Sequence, residues 1–216
     1  MRPYKAYVFD FDYTLADSSR GIVTCFRRVL ERHGYTEVTD TDIKRTIGRT
    51  LEESFSILTG VDDAAVLAAY KKEYGAEADV YMTANTELFP ETAEVLEALK
   101  SRGAAVGIVS TKYRFRILDL LEQKGRPEWV DFIVGGEDVR TPKPSPEGLL
   151  LAVERAGCRK EEVLYVGDSI VDARTAQAAG VDFVGVLNGM TTREELAAYP
   201  HCAIADDLRG LLSDPL

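Results

Sequence analysis

The chain has 216 residues, with 26 Lys and Arg against 36 Asp and Glu, and therefore carries a formal net charge of −10. Its hydrophobic fraction of 45% is enough for a packed core, so the chain need not be disordered. The negative charge disfavours nucleic-acid backbones and anionic membrane surfaces as partners, and a small anionic substrate would need a local cluster of positive charge that includes a metal ion.

The first predicted element is a buried strand within residues 4–11, YKAYVFDF, which ends near Asp10. The segment is rich in aromatic and β-branched residues and is too short for a typical helix. We expect the rest of the fold to be organised around this strand.

Residues 17–89 contain helical patterns and no convincing strand. The apolar periodicity and the capping residues predict helices in SRGIVTCFRRVLERHG, DTDIKRTIG, LEESFSILTG and DDAAVLAAYKKEYGAEADVYMT. An all-helical insertion of this length is too large for a loop, so we expect a small second domain, a helical cap over the carboxyl edge of a sheet. Its predicted boundaries lie near Asp17 and near Phe89-Pro90.

From Glu91 onward one module recurs, consisting of an amphipathic helix, a glycine suited to end it, and a short apolar strand. The helix segments are ETAEVLEALKSRG, FRILDLLEQKG, SPEGLLLAVERAG and IVDARTAQAAG, and the strands that follow them are AAVGIVS, VDFIVG, VLYVGD and VDFVGV. Alternating units of this length predict parallel strands with helices on both faces. The fold class is therefore α/β, a doubly wound, Rossmann-like parallel sheet formed by residues 1–16 and 90–216, with the helical cap domain at 17–89.

No apolar run approaches the roughly 20 residues that cross a bilayer, and the N-terminus does not have the pattern of a signal peptide. The three cysteines, Cys25, Cys158 and Cys202, are far apart and suit neither a zinc site nor paired disulfides, so we expect reduced and mostly buried thiols. A cytoplasmic protein is expected.

Polar residues follow the predicted strands at the edge where open α/β sheets bind ligands. An aspartate there can act as a covalent nucleophile in phosphoryl transfer, and a carboxylate-rich site suits Mg²⁺. A DxDxT pattern alone is a weak signal, but here it begins an ordered set. The set comprises Asp10, Asp12 and Thr14, then Ser110, Thr111 and Lys112, then Lys143, and finally Asp168 and Asp172.

The order of DFDYTLADS, GIVST, KPSP and VGDSIVDA resembles the four motifs of the haloacid dehalogenase-like hydrolase superfamily, and the likeness spans essentially the whole chain. The helical insertion looks like that superfamily's first type of cap. Within the superfamily the chain is most similar to the phosphoglycolate phosphatase group, with related pyrophosphatases and sugar-phosphate mutases nearby. Asp12 points to phosphoryl transfer, because dehalogenases of the superfamily lack this second aspartate.

The resemblance implies a role for each of five residues in phosphoryl transfer. Asp10 would be the nucleophile, and Asp10, Asp168 and the backbone carbonyl of Asp12 would hold Mg²⁺. The Asp12 side chain would protonate the leaving oxygen and later deprotonate water. Ser110 would donate its hydroxyl and N–H to the phosphoryl oxygens, and Lys143, held between two prolines, would neutralise their charge.

Other residues are expected to support this site. Asp172, one helical turn after Asp168, should contact Lys143 or a metal-bound water. The Thr14 hydroxyl orients the loop after the first strand or caps the following helix, and Thr111 could bind substrate through its N–H. Arg49 is a candidate for the remote end of an anionic substrate.

Two further positions stay open in the sequence. Lys112 and Arg114 either reach the substrate or lie at a solvated helix start. Tyr13 stands where many relatives carry a small or aliphatic residue, which puts the substrate range in doubt and leaves the catalytic groups in place.

The expected function is Mg²⁺-dependent hydrolysis of a small phosphomonoester, phosphoglycolate by resemblance, through an aspartyl phosphate. The expected partner is a small phosphorylated metabolite, with no nucleic acid and no membrane, and a monomer is expected. Inorganic pyrophosphatase and β-phosphoglucomutase-like activities use the same groups and stay open. A phospho-accepting signalling module is a further alternative, although its acceptor would follow a middle strand and the helical insertion would have no purpose there.

Overall fold

The computed structural model describes residues 3–212. Contacts between residues divide the chain into two units, one that runs up to Ala16 and resumes at Leu88, and one that comprises Asp17–Glu87. Two short strands, β2 (Ala16–Asp17) and β3 (Glu87–Leu88), pair with each other where the chain passes from one unit to the other.

The larger unit contains a six-stranded sheet in the order β5-β4-β1-β6-β7-β8, with β1 near its centre. All five pairs of neighbouring strands in this sheet are parallel, as the recurring helix and strand modules predict. Its strands are β1 (Ala6–Phe9), β4 (Ala105–Val109), β5 (Phe132–Val134), β6 (Val163–Gly167), β7 (Asp182–Val186) and β8 (Ala203–Ala205).

Successive strand residues point to opposite faces of the sheet. Together with residues of the helices they form two hydrophobic clusters. Phe9 and Ile108 belong to one cluster together with residues of α5 (Thr92–Ser101) and α6 (Arg114–Gln123). Val8 and Tyr165 belong to the other together with residues of α7 (Glu147–Arg155), α8 (Ile170–Ala179) and α9 (Arg193–Ala197). The predicted doubly wound α/β sheet is confirmed.

The smaller unit is built from four helices around its own core. An aromatic group lies at its centre, where the Phe26 ring centroid is 4.7 Å from that of Phe55 and 4.9 Å from that of Tyr74. Side chains of Thr39, Thr50 and Asp63 cap the second, third and fourth helices. The helices are α1 (Ser19–Arg32), α2 (Asp40–Lys44), α3 (Leu51–Thr59) and α4 (Ala64–Tyr81).

One sequence-based expectation needs correction, and two short elements lie outside the predicted modules. The cysteines are free, but only Cys25 is buried, whereas Cys158 is half-buried and Cys202 is exposed beside the edge strand β8. The short elements α9 and β8 were not predicted, because their apolar patterns are too brief to distinguish from loops. Within residues 3–212, no helix combines the length and the apolar character needed to cross a membrane.

The strand register determines which loops meet at the carboxyl edge. Phe9 lies opposite Ile108 of β4 and Val166 of β6, so the residues that follow these three strands lie side by side. The Asp10 N–H donates to the Val166 carbonyl at 2.9 Å, which continues the sheet by one residue. The three loops after β1, β4 and β6 therefore form one site.

Candidate active site

The loop after β1 is a tight turn that buries both of its aspartates, Asp10 and Asp12. The Phe11 carbonyl accepts hydrogen bonds from the N–H groups of Leu15 (2.9 Å) and Ala16 (3.1 Å). Tyr13 has a φ of 60°, in the left-handed region that non-glycine residues seldom adopt, and its side chain is buried. Backbone strain at such a position is often found at functional sites.

A buried lysine contacts the first aspartate. Lys143 Nζ lies 3.0 Å from Asp10 Oδ1 and 2.7 Å from Asp172 Oδ1, and it donates to the Tyr165 hydroxyl at 3.1 Å. The three oxygens match the three donors of an ammonium group. Burial acts against the charge on this lysine, but the carboxylates of Asp10 and Asp172 outweigh it and raise the pKa of Lys143, which stays protonated.

Asp172 is held by contacts to both of its carboxylate oxygens. Its Oδ1 accepts from Lys143 and from the Tyr165 hydroxyl at 2.9 Å. Its Oδ2 accepts from the hydroxyl and the N–H of Ser169 at 2.6 and 3.1 Å, and Ser169 in turn caps α8. A Cβ on Gly167 would stand 2.5 Å from Asp172 Cβ, so the strand must have glycine there for the carboxylate to reach this position.

Asp168 is contacted from two sides. The Thr14 hydroxyl donates to Asp168 Oδ1 at 3.2 Å, and the backbone of Gly189 comes so near that a Cβ there would be 2.0 Å from Asp168 Oδ2. The alternative in which Thr14 caps the following helix is wrong, because the residue at the N-cap of α1 is Ser18. Thr14 instead connects the loop after β1 to the loop after β6.

Asp12 contacts a second buried lysine. Lys112 Nζ lies 3.2 Å from Asp12 Oδ1, and the two side chains are only 8% and 10% exposed. The alternative of a solvated helix start for Lys112 is therefore wrong.

Ser110 follows β4 directly and is buried at the same edge of the sheet. Its N–H donates to the Val134 carbonyl at 3.0 Å, and its hydroxyl accepts a 3.4 Å contact from the Lys112 N–H. Thr111 is half-buried in the same loop. The structure thus brings Ser110 to the edge of the sheet where Asp10 follows β1.

Three carboxylates, those of Asp10, Asp168 and Asp172, offer oxygens within 4.8 Å of one another, and all three residues are buried. Burial raises the pKa of Asp10 to about 7, although Lys143 acts against the rise, and burial also raises the pKa of Asp168. A divalent cation would relieve this concentration of negative charge. Because both oxygens of Asp172 already accept hydrogen bonds, Asp10 and Asp168 are the residues that fit as metal ligands.

Arg49 belongs to the helical unit and not to this network. It pairs with Glu53 one helical turn further along the chain, and with Arg45 and Thr46 it lines a cavity of about 290 Å³ in that unit. Its suggested role in substrate binding stays a prediction.

Sequence reasoning did not identify Tyr165 and Gly189 as parts of the site. Tyr165 precedes Gly167 by two residues, so the two positions lie on the same face of β6, the face that Asp172 contacts. This alternation was the signal in the sequence that could have pointed to Tyr165. Gly189 lies after β7, and its contact with Asp168 depends on packing between distant segments that a local pattern does not show.

The chain is similar to known proteins over most of its length. The family model described as haloacid dehalogenase-like hydrolase matches residues 7–186. Phosphoglycolate phosphatase of Yersinia pseudotuberculosis is 30% identical over 209 residues, which cover 93% of this chain and 89% of the relative. Pyrophosphatase PpaX of Bacillus velezensis is 29% identical over 207 residues, which cover 96% and 94%.

A solved structure from Bacteroides fragilis, described as a haloacid dehalogenase-like hydrolase, is 62% identical to this chain. It superimposes with a TM-score of 0.95 and covers 96% of this chain and 99% of its own. The likeness therefore includes both the sheet and the helical insertion.

Proposed function

The chain belongs to the haloacid dehalogenase-like hydrolase family and is a phosphatase, and we propose that it hydrolyses a small phosphomonoester through a covalent intermediate on Asp10. The observation that carries this proposal is the position of Asp10, which directly follows the central strand, is in ion-pair contact with Lys143 and lies within 4.8 Å of Asp168.

The reaction has two steps on one carboxylate. An oxygen of Asp10 attacks phosphorus, the bond from phosphorus to the leaving oxygen breaks, and Asp12 gives its proton to that oxygen. A water molecule then attacks the phosphoryl group and loses a proton to Asp12. The bond between Asp10 and phosphorus breaks, and inorganic phosphate leaves.

The charge on the phosphoryl oxygens is balanced by groups of the core unit. Lys143 contacts Asp10 Oδ1 directly, so its ammonium lies at the place where the phosphoryl group would be transferred. Ser110 supports the same role with its hydroxyl, and Thr111 with its N–H. Asp172 and Tyr165 orient the ammonium and do not react.

Mg²⁺ is the cofactor that this donor set fits. Asp10, Asp168 and the backbone carbonyl of Asp12 would hold it with oxygen ligands, and Thr14 would keep the Asp168 carboxylate in place. When bound, the ion would offset the negative charge that nucleophile and phosphate share.

Phosphoglycolate is the first candidate substrate, because a relative with matching coverage is named phosphoglycolate phosphatase. Pyrophosphate is the second candidate, since the Bacillus velezensis relative is named a pyrophosphatase. Both compounds place a negatively charged group next to the leaving oxygen.

The test is phosphate release from phosphoglycolate, pyrophosphate, glucose phosphates, nucleotides and a chromogenic phosphoester, each with Mg²⁺ and with EDTA. We expect release that depends on Mg²⁺ and is concentrated on one compound. Asp10→Asn should abolish it while the thermal transition stays cooperative, and near-normal turnover in that variant would contradict the mechanism. Ser101→Ala, a change on the surface of α5, serves as the control.

A further inference from the structure

Lys112 is a buried cation that the proposed reaction does not use. Its ammonium is an ion-pair partner of Asp12, and 8% of its side chain is exposed. Lysine is seldom buried to this extent unless its charge has a specific purpose or partner.

The backbone and the side chain of Lys112 are both held in place. Its N–H points to Ser110 Oγ at 3.4 Å, and its carbonyl accepts from the Gly136 N–H at 3.1 Å. The ammonium lies 6.0 Å from the centroid of the Phe11 ring, within reach of a cation–π attraction. The direction of the side chain is thus largely determined before any substrate binds.

The two lysines contact different aspartates of the proposed reaction. Lys143 contacts Asp10, the group that attacks phosphorus, whereas Lys112 contacts Asp12, the group that would protonate the leaving oxygen. A cation at ion-pair distance from Asp12 is within reach of the atoms attached to the leaving oxygen. Because Asp12 is the proposed acid for the leaving oxygen, a cation paired with Asp12 would lie near the leaving group.

The buried carboxylates make the position of Lys112 matter more for an anionic leaving group than for a neutral one. Asp10, Asp12, Asp168 and Asp172 are all buried, and Lys143 already contacts two of them. A leaving group with its own negative charge would be repelled by these carboxylates unless a fixed cation stood beside it. A neutral leaving group would gain little from such a cation.

We infer that Lys112 binds a negatively charged group on the leaving side of the substrate and so sets a preference for an anionic over a neutral leaving group. The anion can be a carboxylate or a second phosphate, which offer the same oxygen acceptors to an ammonium. This inference rests on the proposed function, in particular on the position of Asp12 at the leaving oxygen.

The test compares two esters with the same two-carbon skeleton, 2-phosphoglycolate, which ends in a carboxylate, and 2-hydroxyethyl phosphate, which ends in a neutral hydroxyl, with pyrophosphate as the second anionic compound. kcat and KM are measured for the wild type, for Lys112→Met, which keeps the length of the side chain, and for Lys112→Arg, which keeps the charge. Lys100→Met is the control, because Lys100 pairs with Asp131 just before β5, at the opposite edge of the sheet.

Lys112→Met should lower kcat/KM for the anionic compound that the wild type prefers by about 10- to 100-fold more than for 2-hydroxyethyl phosphate, the range expected for a hydrogen bond to a charged group. Lys112→Arg should keep part of the wild-type preference for the anionic compound. Lys100→Met should leave kcat/KM unchanged for both compounds.

If Lys112→Met lowered kcat/KM equally for all three compounds, Lys112 would only hold Asp12 in place. That result would overturn the inference while the phosphatase mechanism stands. A wild type that prefers 2-hydroxyethyl phosphate would overturn it too. Wild-type turnover that survives in Asp10→Asn would instead contradict the proposed function, and the inference with it.

Discussion

Tyr165 donates its hydroxyl proton to Asp172 Oδ1 at 2.9 Å, and the same Asp172 oxygen accepts from Lys143 at 2.7 Å. The phenol oxygen also accepts from Lys143. Lys143, Tyr165 of β6 and Asp172 of α8 therefore contact one another pairwise, and these contacts hold the lysine. None of these groups besides Lys143 is proposed to touch the phosphoryl group.

Tyr165→Phe should reduce turnover without preventing folding. The change removes one acceptor from Lys143 and one donor to Asp172 and leaves the buried ring in place. We expect kcat to fall by about 10-fold with KM changed much less, and the free energy of unfolding to fall by about 1 kcal/mol. Steady-state kinetics and urea unfolding measure both effects. Tyr199→Phe, at a partly buried tyrosine near α9, should leave kcat as it is, and a normal kcat in Tyr165→Phe would refute the positioning role.

Thr14→Val should weaken metal binding. The substitution keeps the shape of the side chain and removes the hydroxyl that donates to Asp168 Oδ1. Partners of this kind typically contribute about 10-fold or more to metal affinity. Isothermal titration with Mg²⁺ should show that weakening, and Mg²⁺ affinity equal to that of the wild type would mean that Thr14 has no part in orienting Asp168.

Gly189→Ala should displace Asp168. A Cβ at residue 189 would stand 2.0 Å from Asp168 Oδ2, a distance that forces either the loop or the carboxylate to move. We expect at least about a 10-fold loss of Mg²⁺ affinity, measured by titration. Gly75→Ala is the control, because no atom beyond the neighbouring backbone of its own helix lies within 4 Å of its added Cβ and alanine is the better helix former. Wild-type affinity in Gly189→Ala would show that the loop adapts without cost.

Metal-free protein should be less stable at pH 8 than at pH 5.5. Burial raises the pKa of Asp10 to about 7 from an ordinary value of 3.8, so between these values the folded state binds a proton that the unfolded state has lost. Stability from this group is complete below about pH 4 and is lost as the pH rises through about 7.

Calorimetry in EDTA and in Mg²⁺ tests this dependence. The melting temperature in EDTA should fall between pH 5.5 and pH 8, and Mg²⁺ should raise it more at pH 8, where the carboxylate is ionised and ready to bind. Asp10→Asn should reduce both effects. A melting temperature in EDTA that rises over the same interval would contradict the raised pKa.

The sequence was informative wherever function depends on position along a strand. Asp10, Ser110 and Asp168 each follow a buried apolar run, and parallel strands bring their carboxyl ends to one edge, so their proximity could be predicted. The sheet itself was predictable for the same reason, since the recurring helix and strand modules leave few other arrangements.

Contacts between distant side chains were less predictable. A tyrosine within an apolar strand is an ordinary core residue until its hydroxyl is seen beside Asp172. Lys112 was ambiguous because a lysine at a helix start is usually solvated, and only the position of Asp12 showed that its charge has a buried partner. The left-handed backbone of Tyr13 has no sequence signal, because glycine or asparagine is expected there.

The pairing of β2 with β3 also bears on how this architecture can diversify. Paired strands lie about 4.8 Å apart, so residues 17–87 leave and re-enter the sheet-containing unit at neighbouring points. An inserted segment with adjacent ends can be lengthened, shortened or exchanged during evolution without a change in the register of the six strands. Selection can thus alter one module while the carboxylates and the lysines of the other are inherited unchanged.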